Sequence, residues 1–204
     1  MALAGCGNSP VARTAAVYWD QRGGGDRFTR DQVEQLPYAT LAVGVGDGSR
    51  AMLVLSRAEG GDLHWVTADR VLLVTRHGRL VKTVGLAAGN LGNTTILDTD
   101  PLSRPELWNT PRQFRRSVDF GPTREFGVTL VADWSPDGPE LISTFRGPRQ
   151  ALRVRERSHA PNAGWTLENT FWLDPTDAAI ISSVQQIMPD TPPLRLECLK
   201  PYRG

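Results

Sequence analysis

The chain has 204 residues, 40% of them hydrophobic, and its 23 Lys plus Arg against 22 Asp plus Glu leave a formal net charge of +1. That length supports one domain that buries about 70% of its unfolded surface, and the balanced charge argues against nucleic acid, which demands a clustered basic surface. No apolar run reaches the roughly 18 residues that a membrane-crossing helix needs, so any attachment to a bilayer must come from elsewhere.

The first ten residues, MALAGCGNSP, supply a candidate. Leu3, Ala4, Gly5 and Cys6 form a small apolar box ending in cysteine, the pattern in which a bacterial signal peptidase cuts before a lipid-bearing sulfur. A complete signal also carries a basic segment and an apolar run of about 7 to 15 residues. Only Met1 and Ala2 precede the box, so the natural start is expected upstream. The following GNSPVART is small, polar and proline-containing, as in a flexible tether. Residues 1–20 are therefore expected as lipobox remnant and tether, and residues 21–204 as a single β-rich domain. The second cysteine, Cys198, is then left without a bridge and is expected as a small buried apolar residue.

After the tether, DRFTRDQVEQLPYAT predicts one short helix. Thr29 can cap it, Gln32 stands where a capping box needs it, Phe28, Val33 and Leu36 can face inward, and Pro37 ends it. From there the period changes. YATLAVGVG, SRAMLVLSR, GDLHWVTAD, RVLLVTRHG and RLVKTVGL are strand-length runs rich in Val, Leu and Thr, separated by turn letters such as GDGS, AEGGD and RHGR.

NTTILDTDPLSRPELWNTP predicts a strand entering a loop punctuated by Pro101, Pro105 and Pro111, with a helical turn near Glu106 to Trp108. Seven further runs follow: RRSVDF, EFGVTLVADW, ELISTFRG, ALRVRERS, TLENTFWLD, AAIISSVQQIM and LRLECLKPY, with turns at SPDGPE and HAPNAG. About a dozen short strands in sequence pair as antiparallel neighbours. The predicted fold is mainly β, an antiparallel meander closed into a barrel or strongly curled two-layer sheet, with one or two short helices.

Sites for chemistry are sparse. His64, His77 and His159 have no metal-ligand spacing, neither a G-x-S-x-G elbow nor a P-loop occurs, and no metal or cofactor is expected. GVGDGS reads as a hairpin turn. Asp98, Asp100, Asp133, Asp137, Glu168 and Asp174 could furnish a carboxylate pair, which keeps a periplasmic glycan-modifying enzyme as the alternative reading. The basic patches PRQFRRS and GPRQALRVRER, the second interrupted by Glu156, read as solvated strand or loop faces.

Six tryptophans can serve core packing or stacking on sugar rings. Trp65, Trp134 and Trp172 lie in strands and are expected in the core, whereas Trp19, Trp108 and Trp165 lie in loop or terminal contexts and are expected nearer the surface. Trp108 and Trp165 are thus candidate binding residues, together with Arg76, Arg79 and Lys82 of the hairpin RHGRLVKTVGL. A turn at His77 and Gly78 would bring Arg76 and Arg79 together at an exposed edge. There they form either a solvated turn or a contact for an acidic glycan or acidic protein surface.

PYATLAV with AMLVLSR, LHWVTADRVLLVTRHGRLVKTVGL, DPLSRPELW and NTFWLDPTDAAIISSVQQIMPDTPPLRLECLKPY together resemble the YjbF/GfcB lipoproteins, whose operons serve capsule and exopolysaccharide export in Gram-negative bacteria. The resemblance runs from Leu36 to Tyr202. Its most specific parts are the hairpin residues Gly78, Arg79, Leu80, Thr83, Gly85 and Leu86, and the tail from Asn169, Phe171, Trp172 and Asp174 through Ser183, Gln185, Gln186 and Pro189 to Leu199, Lys200 and Pro201. It implies an antiparallel β fold, a lipid on Cys6 that anchors the chain to the periplasmic face of the outer membrane, and a non-catalytic part in polysaccharide export. The implied partners are other polysaccharide-secretion proteins and the polysaccharide itself. No catalytic residue is carried over. Gly7, where Asp would signal inner-membrane retention, agrees with delivery to the outer membrane.

Overall fold

The computed structural model describes residues 25–121 and 125–204, so the expectations placed on Cys6, Trp19 and the tether lie outside the described residues. The described residues open on a helix, α1 (Arg30–Gln35), closed by the predicted capping box: the Thr29 hydroxyl accepts from Gln32 N–H, and the Gln32 side chain accepts from Thr29 N–H. Two of a helix's otherwise unpaired first-turn donors are thereby satisfied. Leu36, extended at ψ 130° before Pro37, ends the helix.

Twelve strands follow: β1 (Thr40–Val45), β2 (Ala51–Glu59), β3 (Asp62–Val66), β4 (Leu72–Arg76), β5 (Arg79–Val84), β6 (Leu91–Ile96), β7 (Arg112–Phe120), β8 (Glu125–Thr144), β9 (Gly147–His159), β10 (Thr166–Asp174), β11 (Ala179–Gln185) and β12 (Leu194–Lys200). Every pairing between them is antiparallel and every neighbour in the sheet is a neighbour in sequence, except that β1 pairs with β12. The meander therefore curls until first and last strands meet, and its two outer strands, β5 and β6, come alongside to leave a nearly closed barrel. At that seam side chains replace ladder bonds: Leu91 N–H donates to Thr83 Oγ1 at 2.9 Å, and Leu86 N–H to Asn90 Oδ1 at 3.1 Å. The edge that a flat sheet would expose is covered by the sheet itself.

One predicted turn is absent. SPDGPE lies inside β8, which runs 20 residues without reversing, so the separate strands read at EFGVTLVADW and ELISTFRG are one. Pro136 and Gly138 instead mark a register shift against β9, the bulge that proline and glycine favour within a strand. The reversal comes at Phe145 and Arg146, and β8 and β9 extend well past the end of β10 as a paired arm. The proline-rich loop between β6 and β7 forms two 3₁₀ turns, Pro101–Ser103 and Pro105–Leu107, close to the predicted helical turn.

Among the described residues, three apolar clusters hold the fold. The largest fills one end of the barrel with Leu41, Val43, Leu53, Trp65, Leu73, Phe120, Leu130 and their neighbours. A smaller one fills the other end with Leu102, Trp108, Trp134, Val154, Phe171 and Leu173. The third lies on the outside, where Phe28 and Val33 of the helix segment cover Ala42, Met52 and Leu199. The outward positions of β9, half-buried Arg153 and exposed Arg155 and Arg157, alternate with buried Val154, Glu156 and Ser158. The barrel is thus filled within and charged along this wall, the reverse of a barrel that lines a channel and faces lipid.

Candidate functional site

Between the two interior clusters the inward positions turn polar. Along β7 they read Phe114, Arg116, Val118; along β9, Val154, Glu156, Ser158; along β10, Leu167, Asn169, Phe171. Alternation aims these residues at the barrel axis, so three strands contribute one polar group each at the same height. β5 and the β6–β7 loop complete the belt. Arg79 donates to Asp100 through Nε at 2.5 Å and to Glu156 through NH2 at 2.6 Å, and Arg116 donates to Glu156 as well. Asn169 Nδ2 donates to Glu156 at 2.9 Å.

The charges are almost wholly sealed, with Arg79 2% and Glu156 1% exposed. Burial by itself would raise the Glu156 pKa, but the Arg116 and Arg79 guanidiniums outweigh it and hold the carboxyl down at about 2. Burial also works against the Arg79 charge, yet Asp100 and Glu156 on both sides lift its pKa above the ordinary value. Arg116, equally buried, faces Glu156 but also the Arg79 cation, and its pKa is lowered. The Phe114 and Phe171 rings lie against the Arg79 guanidinium at 5.3 and 5.5 Å.

These contacts correct the sequence reading of the RHGR hairpin. Arg76 and Arg79 do face each other across the turn, but the edge is not exposed at Arg79. The turn leans into the barrel: a Cβ on Gly78 would stand 2.5 Å from Ile180 Cγ1, and Gln185 of β11 clasps the turn by donating to Gly78 O and accepting from Leu80 N–H, each at 2.9 Å. Arg79 follows the turn inside. Arg76 stays at the rim in a two-bond pair with Asp62, and Lys82 is exposed without an ion pair to a described residue.

The tryptophans also change places. Trp108, expected near the surface, is 2% exposed, and its carbonyl accepts from Trp134 Nε1 at 3.0 Å. Trp165 is half-buried against the large cluster, edge-on to Phe120 at 5.7 Å. Trp172, expected in the core, faces outward because its neighbours Phe171 and Leu173 are the inward pair. Two adjacent strand residues cannot share a face. That was the signal in TFWLD that placed Trp172. The basic patches divide likewise: Arg115, Arg155 and Arg157 are solvated as expected, while Arg116 and Glu156 are interior.

Trp172 opens onto a groove of about 570 Å³ on the outer wall, within the range of roughly 300 to 1,000 Å³ common for ligand sites. Its floor crosses three strands through the register Trp172, Ser182, Glu197 on β10, β11 and β12. Its roof is the β8–β9 arm. Glu140 of the arm accepts from Trp172 Nε1 at 2.9 Å, and the tip is pinned where Phe145 N–H donates to Glu197 at 2.6 Å and Arg146 Nε to Leu199 O at 2.8 Å. Phe145 also meets Phe28 at 5.4 Å between ring centroids. The far wall is the β1–β2 turn, where Arg50 joins Asp26 and Glu197. Arg195 extends over Gly44 to Gly48 O and Asp47.

Of the acids weighed for glycoside chemistry, Asp98 pairs with Arg115, Asp100 with Arg79, Asp137 with Arg155 and Arg153, Glu168 with Arg157 and Asp174 with Arg149. Asp133 accepts from Gln113 at 3.0 Å. Cys198 is a half-buried free thiol, and burial, opposed by Arg146 and Arg149, pushes its pKa up to about 11. Among the described residues no group of three or more His, Cys, Asp or Glu is placed to hold a metal ion.

A filled antiparallel barrel, carrying a helix and a strand arm on its outside, is the class of domain these features define. Residues 17–199 match the family described as group 4 capsule polysaccharide lipoprotein gfcB, YjbF, and the chain belongs to it. It is 29% identical over 187 residues to the lipoprotein YjbF of Escherichia coli K12, covering 89% of this chain and 85% of that protein. It is 28% identical over 204 residues to the lipoprotein GfcB of the same strain, covering 98% and 94%. The crystal structure of the hypothetical lipoprotein YmcC from Escherichia coli K12 superposes with a TM-score of 0.77 at 26% identity, covering 87% of this chain and 91% of that one.

Proposed function

We propose that this protein is a lipid-anchored accessory of capsule or exopolysaccharide export. It is held by Cys6 at the periplasmic face of the outer membrane and binds partner export proteins or the glycan without catalysing a reaction. The observation that carries this reading is the family match across residues 17–199, whose description joins lipoprotein to capsule polysaccharide. The filled interior supports it further: with both ends packed and the middle bridged by ion pairs, the barrel acts through its outer surface, and polysaccharide is handled there.

The anchor fits the same picture. Several acyl chains on one cysteine, each burying CH₂ groups at about 0.8 kcal/mol, hold a protein on a bilayer firmly. The test is deletion of the gene in its own host, with surface and released polysaccharide measured. Export falls, the protein expressed from its native gene restores it, and Cys6→Ser restores it less while shifting the protein from the outer-membrane fraction to the soluble periplasm. Unchanged export in the deletion strain would overturn the reading.

A further inference from the structure

We infer that the groove beneath the β8–β9 arm is a binding site for a neutral, hydroxyl-rich glycan segment, with Trp172 as its stacking platform; this rests on the function proposed above. Trp172 is the outward-facing indole of β10, and its ring nitrogen is fixed by Glu140. A ring so oriented loses little freedom when a sugar's C–H face packs on it.

Around the ring the groove offers polar groups that the fold leaves in reach. The Ser143 and Ser182 hydroxyls line it, one from the roof and one from the floor, and make no hydrogen bond to another described residue. Each can donate and accept, as glycan hydroxyls do. Arg195 spends only NH1 and NH2 bonds on Asp47 and Gly48 O, and Asp47 is fully exposed, an acceptor at the mouth. An aromatic face with several convergent hydrogen-bonding groups fits a saccharide better than an apolar peptide, because Trp172 and Val184 share the floor with Ser182 and the charged Arg195 and Glu197.

Charge selects among glycans. Asp26, Asp47 and Glu197 stand against Arg50 and Arg195 in the groove lining, three carboxylates to two guanidiniums. Arg50 is already engaged by Asp26 and Glu197. A uronic-acid polymer would meet net repulsion, and a neutral hexose chain would not. The acidic ligand expected at the arginine hairpin has no counterpart here.

The test is titration of the full chain with cellohexaose, maltohexaose and polygalacturonate, read by calorimetry and by tryptophan fluorescence. At least one neutral hexaose binds and changes the emission. Trp172→Ala weakens it about tenfold or more, the scale of one aromatic stacking contact; Trp172→Phe retains most of the affinity; Trp165→Ala leaves it unchanged. Thermal unfolding checks that each variant folds. Binding of neither neutral hexaose, preference for polygalacturonate, or binding that survives Trp172→Ala each overturns the inference. A partner protein captured through the Trp172 face in place of any sugar does so too. If deletion of the gene still blocks export, such results sink the groove and leave the proposed function standing.

Discussion

The barrel's polar belt and its outer groove are built from the same kinds of residue and differ in what the fold leaves over. In the belt, every charge is matched at close range: Arg79 engages Asp100 and Glu156 with four hydrogen bonds, and Asn169 and Ser158 fill further positions on Glu156. In the groove, Arg50 ties Glu197 of the floor to Asp26 of the wall, while an indole and two hydroxyls line the opening. A closed network organises a fold, because any buried group left unpaired is costly. An open one is where a ligand can add bonds. Residues that carry the family resemblance serve both: Arg79, Asn169, Phe171 and Gln185 lie inside and Trp172 outside.

The sharpest way to break this contrast is Arg79→Ala. It leaves Asp100 and Glu156 sealed with one cation between them, and removal of one partner from a buried pair costs about 3 to 5 kcal/mol. Urea unfolding should show that loss as a lowered midpoint. A change within about 0.5 kcal/mol, as for an ordinary surface residue, would mean that the belt is not closed as described.

The second test varies pH. The folded-state pKa of Glu156 is depressed to about 2 from the ordinary 4.5 of an unfolded-chain glutamate, so the carboxylate contributes stability that is fully present above about pH 4.5. That contribution is lost as pH falls toward 2, because the unfolded chain takes up the proton first. The unfolding midpoint of the wild type should therefore slope downward across this window. In Glu156→Gln the stability is lower at neutral pH and the slope flatter. Equal slopes in the two proteins would place the acid sensitivity elsewhere.

Much of this contrast could be read in the sequence, and the failures have two causes. The helix with its capping box, the meander and the barrel closure follow from local signals: Thr29 with Gln32, alternating apolar runs, short turns. What strand periodicity also holds, which side each residue faces, was legible at Trp172 beside Phe171 and at Arg116 between Phe114 and Val118. A charged letter in a strand reads as solvated unless its neighbours two positions away are counted. Other features had no local signal. SPDGPE has turn chemistry and lies within a strand because β9 pairs along its whole length. The burial of Arg79 depends on Ile180 and Gln185, about a hundred positions along the chain.

The outer layer gives a third and smaller effect. Thr29→Ala removes the hydroxyl that caps α1, at a cost of about 1 kcal/mol, and the helix covers Ala42, Met52 and Leu199. The loss should appear in the unfolding midpoint and in faster amide exchange at Gln32 and Val33. Because the arm tip packs on Phe28, exchange at Phe145 sharpens the contrast: acceleration there couples helix to arm, whereas an effect confined to the helix separates them.

The smallest expected effect comes from Arg76, the cross-turn partner of Arg79. Its guanidinium makes two bonds to Asp62, at 2.6 and 2.9 Å, a geometry as good as any in the belt. Yet its side chain is 40% exposed, so water and salt screen the pair, and such pairs contribute about 0.2 to 1 kcal/mol. Arg76→Ala should shift the midpoint by no more than that, and raising the salt concentration should shrink the difference from wild type further. In Arg79→Ala the deficit should persist in high salt, since buried charges are screened far less. Two arginines on either side of one turn, each bound to a carboxylate, then differ several-fold in their contribution. If Arg76→Ala proves as damaging and as insensitive to salt as Arg79→Ala, burial is not what separates them, and the division between a structural interior and an adaptable exterior fails at the hairpin where the two meet.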